Sequence, residues 1–138
     1  MAKGVVVNSS EVKPFKCGNT YSSKMLLDDI VAGGKSIHIN EGTLKGGCNT
    51  HPGLAHEATE IYYGVKGHAI LIMNDERSDF GPGSVAYIPA GCKHALENKS
   101  ETEDFVLLTL WEDTKHNDVY HDRVKAWGTS FKTIYDDN

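Results

Sequence analysis

From Lys35 to Trp111 the chain is a succession of short apolar or alternating stretches, each ended by glycine, proline or a cluster of small polar residues. That punctuation constrains the fold more than any other feature, because glycine, proline and small polar clusters mark turns between short elements. Ser36-Ile37-His38-Ile39-Asn40 alternates apolar with polar, and Thr59 to Val65 alternates around Ile61, Tyr62 and Tyr63, residue types that suit a pleated surface. His68 to Met73 is almost continuously apolar, as expected of a strand buried on both faces. Val85 to Ile88 and Phe105 to Trp111 complete the set. The breaks are Gly67, a polar turn over Asn74 to Ser78, Gly81-Pro82-Gly83, Pro89-Ala90-Gly91 and Asn98 to Glu101. Many short strands joined by glycine-rich turns predict an all-β fold, either an antiparallel barrel or a jelly roll of two sheets. With 138 residues, no repeat and no long linker, residues 1–138 are expected to form one domain with its core over about 35–111.

The flanks are expected to add to this core. Lys24-Met25-Leu26-Leu27 has the character of a strand that joins the barrel or exchanges with a partner subunit. From His116 onwards, spaced Val119, Tyr120, Val124 and Trp127 predict a short helix or an extended C-terminal arm ended by Gly128. An arm carrying Trp127 and Phe131 needs cover, so a homodimer is expected. Charge narrows the partners. Fourteen Lys and Arg against nineteen Asp and Glu give a net −5 with no basic run, which argues against nucleic acid and against an anionic membrane surface. The apolar run Val5-Val6-Val7 is far shorter than a secretory signal core, and no stretch approaches the roughly 20 apolar residues of a membrane-spanning helix. Cys17, Cys48 and Cys92 are odd in number and form no C-x-x-C pair, so the expectation is a reducing cytoplasm with no disulfide framework and no thiolate zinc site.

Seven histidines remain, and spacing decides which of them matter. Gly83, five residues, Pro89, one residue, Gly91, two residues, His94, three residues, Asn98 forms a fixed pattern. In it Gly83 turns the chain into a strand, Pro89-Ala90-Gly91 makes a corner and His94 opens the next strand, with Leu96 and Asn98 on the same face. This run resembles the second motif of the cupin superfamily at all five positions. The first cupin motif is matched in its second half by His56, three residues, Glu60, six residues, Gly67. Its first half departs: Leu54 stands where a histidine two residues before His56 would be, and the nearest alternative is His51. An odd spacing places His51 and His56 on opposite faces of a regular strand, so His51 joins the set only if Pro52 to Ala55 loops out.

The resemblance implies a cupin β-barrel holding one divalent transition metal (Fe, Mn, Zn, Ni, Co or Cu) through His51, His56, Glu60 and His94. Without His51, two imidazoles and one carboxylate still make a facial set of the kind non-haem iron uses. Tyr62 shares the face of Glu60, and these two are the catalytic candidates; a phenol beside the metal can donate a proton or hydrogen-bond a substrate oxygen, the alternative being a tyrosine that only packs. His38 lies with Asn40 opposite Ile37 and Ile39, either as a substrate-binding group together with Tyr62 or as an ordinary surface histidine. His68, His116 and His121 are expected in solvent, Asn98 is expected to close its strand, and Cys48 and Cys92 are expected as small packed side chains. The implied function is a metal-dependent enzyme acting on a small oxygenated metabolite, a keto or hydroxy acid or a sugar. An isomerase or lyase would use Tyr62 and His38 as proton shuttles, while a dioxygenase would use an apolar wall such as Ile70 to Met73. The alternative is a non-catalytic, metal-dependent ligand-binding domain, disfavoured by the absence of a basic output region.

Overall fold

The computed structural model describes residues 4–12, 14–17, 19–27, 37–50 and 58–112. Nine strands run through them: β1 (Phe15–Cys17), β2 (Tyr21–Leu27), β3 (Ile37–Leu44), β4 (Glu60–Lys66), β5 (Ala69–Met73), β6 (Glu76–Phe80), β7 (Val85–Ile88), β8 (His94–Asn98) and β9 (Phe105–Glu112). All pair antiparallel, in a six-stranded sheet of order β1-β2-β3-β9-β4-β7 and a three-stranded sheet of order β6-β5-β8. The all-β jelly roll expected from the sequence is therefore the observed architecture. No helix among the described residues is long and apolar enough to cross a membrane. The C-terminal arm expected beyond His116 lies outside the described residues.

Two local expectations change, and one alternative left open is decided. Asn74 to Ser78 is not one long turn: the turn is Asn74-Asp75, both at positive φ (47° and 71°), and Glu76 already opens β6. This pair of left-handed residues is the twist-matched two-residue hairpin connection, and Asn and Asp tolerate it best after glycine. β6 escapes an apolarity reading because it is an edge strand whose residues Glu76 to Asp79 are exposed and only Phe80 is buried. The N-terminal strand is longer than Lys24 to Leu27, beginning at Tyr21 and preceded by β1, so the larger sheet starts well before residue 35. In β3 the polar residues face inward: His38 and Asn40 are each 1% exposed, whereas Ile37 is 58% exposed.

The buried face of the larger sheet changes character along its strands. At one end Leu44, Phe105 and Leu107 are fully buried and pack with Leu71, Phe80 and Leu96. Each such side chain is worth about 1.5–3 kcal/mol of transfer free energy, so this end supplies most of the adhesion between the sheets. At the other end the same face carries Ser23, His38, Asn40, Thr109, Trp111 and Tyr62. A second cluster of Val12, Met25 and Trp111, with Val7, Leu26 and Ala58 against it, packs the N-terminal segment beside that polar end. Outside the barrel, Arg77 and Glu97 pair across the smaller sheet; the hydrogen bonds between them, and secondarily their opposite charges, raise the guanidinium pKa and lower that of the carboxyl.

Asn98 has the structural part expected of it. Its Nδ2 donates to the carbonyls of Leu44 (3.0 Å) and Glu103 (2.8 Å), and its Oδ1 accepts from Ser100 N–H (3.0 Å). The amide thus ties β8 to the end of β3 and to the loop before β9. Asn98→Ala leaves three backbone groups without these partners, the Leu44 carbonyl in a buried position and the other two part-buried, and is expected to lower the unfolding free energy by roughly 2–4 kcal/mol. Urea denaturation of wild type and variant checks this; a difference below about 0.5 kcal/mol would contradict it.

Candidate active site

The polar end of the larger sheet is built from three neighbouring strands, and their register fixes which side chains meet. Asn40 of β3 pairs with Thr109 of β9, which pairs in turn with Tyr62 of β4. One step along, His38 pairs with Trp111 and Trp111 with Glu60. Because cross-strand partners share a face, these two rows form one surface of six side chains: His38, Trp111 and Glu60 above Asn40, Thr109 and Tyr62. The row extends to Met25 of β2 and Ala86 of β7; Ser23 of β2, opposite Gly42, donates its hydroxyl to Asn40 Oδ1, and Asn40 Nδ2 donates to Thr109 Oγ1 at 3.3 Å. The rings of His38 and Trp111 lie 5.2 Å apart at an interplanar angle of 34°.

His94 reaches this surface from the opposite sheet. It opens β8 opposite Met73 of β5, is 6% exposed, and meets the Tyr62 ring edge-on with centroids 5.7 Å apart. The turn before it is set by Gly91 at φ +82°, with Cys92 N–H closing back on the Pro89 carbonyl at 3.0 Å. That glycine permits the left-handed third position of a type II turn, after which β8 can start at His94. His94 Nδ1 is 3.0 Å from the carbonyl of Cys92. A carbonyl only accepts, so Nδ1 carries a proton, and in the neutral imidazole the lone pair is then on Nε2.

Residues 34–111 match the Cupin domain family. The chain is a cupin. Solved structures agree in fold: KdgF from a Halomonas species superposes with a TM-score of 0.71 at 16% identity, over 83% of this chain and 98% of that one. The polyketide cyclase RemF from Streptomyces resistomycificus gives 0.69 at 18% identity, over 100% of this cupin and 89% of the cyclase. A cupin sugar phosphate isomerase from Silicibacter pomeroyi gives 0.66 at 19%, over 80% and 76%. No curated protein matches the sequence.

Of the ligand set that the resemblance implies, Glu60 and His94 lie in the described part of the cupin, whereas His51 and His56 lie outside it. Among the described residues no group of three His, Cys, Asp or Glu side chains forms a metal centre. The described pair nevertheless suits one. The Nδ1–carbonyl bond on His94 is the outer hydrogen bond that metal-ligating histidines use to fix tautomer and ring orientation. Glu60 sits half-buried at the start of β4, in the same surface as Tyr62. Of the remaining sequence candidates, His38 is inside rather than on the surface, and His68 is exposed as expected. Cys92 is buried in the main core and Cys48 packs against it, both as free thiols.

Sequence reasoning missed Asn40, Thr109 and Trp111 as site residues. Their signal was present: Thr109 and Trp111 share the period-two face of Leu107, and Asn40 shares that of His38. Inside an apolar run such as Phe105 to Trp111, that periodicity alone does not tell which face the barrel encloses.

Proposed function

We propose that this cupin is a metal-dependent enzyme of the isomerase or lyase type, acting on a small oxygenated metabolite such as a keto acid, a hydroxy acid or a sugar. The observation that carries the reading is the approach of Tyr62 to His94 across the two sheets, on a surface that His38, Asn40 and Thr109 share with Met25, Ala86 and Ile88. A divalent metal held by Glu60 and His94, together with His56 and His51, would supply Lewis-acid polarisation of a carbonyl or hydroxyl oxygen. The rest of the chemistry belongs to the side chains. The Tyr62 hydroxyl is the general acid or base candidate, able to exchange a proton with a carbon or oxygen of a bound substrate. Asn40 and Thr109 provide a hydrogen-bonding floor, and the Trp111 and His38 rings provide a flat wall that orients the substrate and limits water.

An oxygenase favours an apolar chamber, whereas this end of the barrel sets Tyr62, His38, Asn40 and Thr109, groups that carry exchangeable protons, beside Met25, Ala86 and Ile88. The names of two structural relatives, a sugar phosphate isomerase and a polyketide cyclase, denote an isomerisation and a ring closure. The test is to incubate metal-analysed protein in D₂O with a panel of keto acids, hydroxy acids and sugars, following carbon-bound deuterium by NMR. The expected result is close to one transition metal per chain and deuterium incorporation without oxygen uptake. Tyr62→Phe is expected to slow that exchange by about 100-fold or more while keeping the metal. Turnover coupled to oxygen consumption, or wild-type protein without metal under non-chelating conditions, would overturn the proposal.

A further inference from the structure

The hydrogen bonds that cross the inner surface through Ser23, Asn40 and Thr109 have a direction. A carboxamide accepts only at its oxygen and donates only at its nitrogen. Ser23 gives its hydroxyl proton to Asn40 Oδ1, and Asn40 Nδ2 donates to Thr109 Oγ1 at 3.3 Å. Thr109 therefore accepts at this contact, and the proton of its own hydroxyl is left to donate elsewhere. The three side chains are 0%, 1% and 6% exposed, which keeps that proton out of bulk water, and among the described residues Oγ1 makes no second hydrogen bond. A buried donor is costly until it meets an acceptor, so the position is one that a bound molecule completes. It is well placed for that. Register sets Thr109 between Asn40 and Tyr62, one strand away from the tyrosine ring that meets His94.

We propose that Thr109 binds the substrate by donating to an oxygen that carries no proton, that of a ketone or a carboxylate, and that Ser23 is the positioning residue that gives Thr109 this polarity through Asn40. The inference rests on the reading of this end of the barrel as the substrate site, and it narrows the substrate there to a small acid or ketone rather than a sugar held through hydroxyls. The reason is proton counting. A keto or carboxylate oxygen offers lone pairs and no proton, which matches a lone donor. A ligand hydroxyl accepts the Thr109 proton too, yet it brings a proton of its own, and Asn40 Oδ1, the acceptor beside Thr109, is already engaged by Ser23. A site whose buried groups are satisfied by one hydrogen-bonding pattern discriminates against ligands that offer another. The donor is also set before the ligand arrives: Ser23 and Asn40 are enclosed between strands, so no rearrangement is needed to aim it. Without the Ser23 hydroxyl the Asn40 amide loses the partner of its oxygen and can turn that oxygen towards Thr109, taking up the proton meant for the ligand.

The experiment is equilibrium binding to the full chain as purified, its metal content recorded, by ligand-observed NMR titration to about 50 mM with pyruvate, lactate, dihydroxyacetone and erythritol as probes. Pyruvate carries a ketone and a carboxylate, lactate only the carboxylate, dihydroxyacetone only the ketone, and erythritol hydroxyls alone. Pyruvate is expected to bind at least about 10-fold more tightly than erythritol, and whichever of lactate and dihydroxyacetone keeps its affinity identifies the oxygen that Thr109 holds. Thr109→Val should weaken pyruvate about 10-fold or more, with erythritol and the metal content unchanged, and Thr109→Ser, which keeps the hydroxyl, should bind as wild type. Ser23→Ala should shrink the preference for pyruvate over erythritol by about 3-fold or more, a change in selectivity that a general loosening of the site would not produce. Without probe, all three variants should keep the wild-type circular dichroism and a thermal midpoint within about 5 °C. Wild type that binds pyruvate no more tightly than erythritol would overturn the proposal, as would a Thr109→Val variant that binds pyruvate normally or loses all four probes alike. A Ser23→Ala variant with the full preference would remove Ser23 from its positioning role. Binding is read without turnover, so deuterium exchange can fail while this selectivity stands, and the reverse.

Discussion

His94→Ala is expected to reduce bound transition metal from near one per chain to less than about a tenth, with deuterium exchange into substrate falling by about 1,000-fold or more. The reasoning begins with the imidazole's two nitrogens. Nδ1 is held by the Cys92 carbonyl, so the lone pair of Nε2 is the one that a metal would use, and alanine removes both at once. Because the substitution also empties a buried position and leaves that carbonyl unserved, a loss of stability of roughly 1–3 kcal/mol is expected in its own right. Glu60→Gln separates the two effects. It keeps the size of a half-buried side chain and removes only the charge, so it should fold as wild type while losing most of the metal. Elemental analysis and thermal midpoints with and without added divalent metal provide the readout: wild type should be stabilised by metal through mass action, and neither variant should respond. Metal retained at the wild-type level in both variants would remove Glu60 and His94 from the ligand set.

Gly64→Ala is expected to cost about 3 kcal/mol or more, and to lower the thermal midpoint by roughly 10 °C, although it is the smallest side-chain addition possible. A Cβ at Gly64 would stand 2.0 Å from the Gly81 carbonyl oxygen and 2.8 Å from its carbon, both main-chain atoms that cannot rotate away. The contact is close because β4 is stapled to the turn before β7: Gly64 N–H donates to the Ser84 carbonyl at 2.9 Å, and Gly83 N–H donates to the Gly64 carbonyl at 3.0 Å. Moving the turn aside to admit a methyl group breaks both bonds and disturbs the pairing of Tyr63 with Val85. Gly83→Ala is the informative comparison. A Cβ there meets nothing within 4 Å, but φ is +83°, so only the left-handed backbone penalty of about 1 kcal/mol applies. Calorimetry or urea titration ranks the two; a Gly64→Ala variant as stable as Gly83→Ala would show that the turn yields easily and that the staple is weak.

Much of the fold was legible because its signals are local. Val85 to Ile88 and the start of β8 at His94 fall where alternation and turn chemistry put them, and the five-position pattern from Gly83 to Asn98 was enough to suggest the cupin family. β6 was not legible because burial, rather than backbone conformation, is what apolar periodicity reports, and four of its five residues are in solvent. His38 shows the same limit from the other side. The alternation of Ser36 to Asn40 gave the period of β3 and left open which face is enclosed. The usual rule of apolar inside points the wrong way here, since Ile37 and Ile39 belong to the outer surface of the larger sheet.

What the sequence by itself determined, then, is the set of relations that covalent spacing carries. Glu60 and Tyr62 must share a face in any strand, as must His94, Leu96 and Asn98, because successive side chains of a strand alternate whatever the strand pairs with. What only the tertiary structure decided is which of these faces meet. β9 arrives between β3 and β4 from more than forty residues along the chain, and its register brings Thr109 and Trp111 between Asn40 and Tyr62 and between His38 and Glu60. β8, in the other sheet, then carries His94 to the edge of the Tyr62 ring. Such pairings depend on the packing of whole sheets against one another, a non-local balance of buried area and hydrogen bonds that no single stretch of sequence contains.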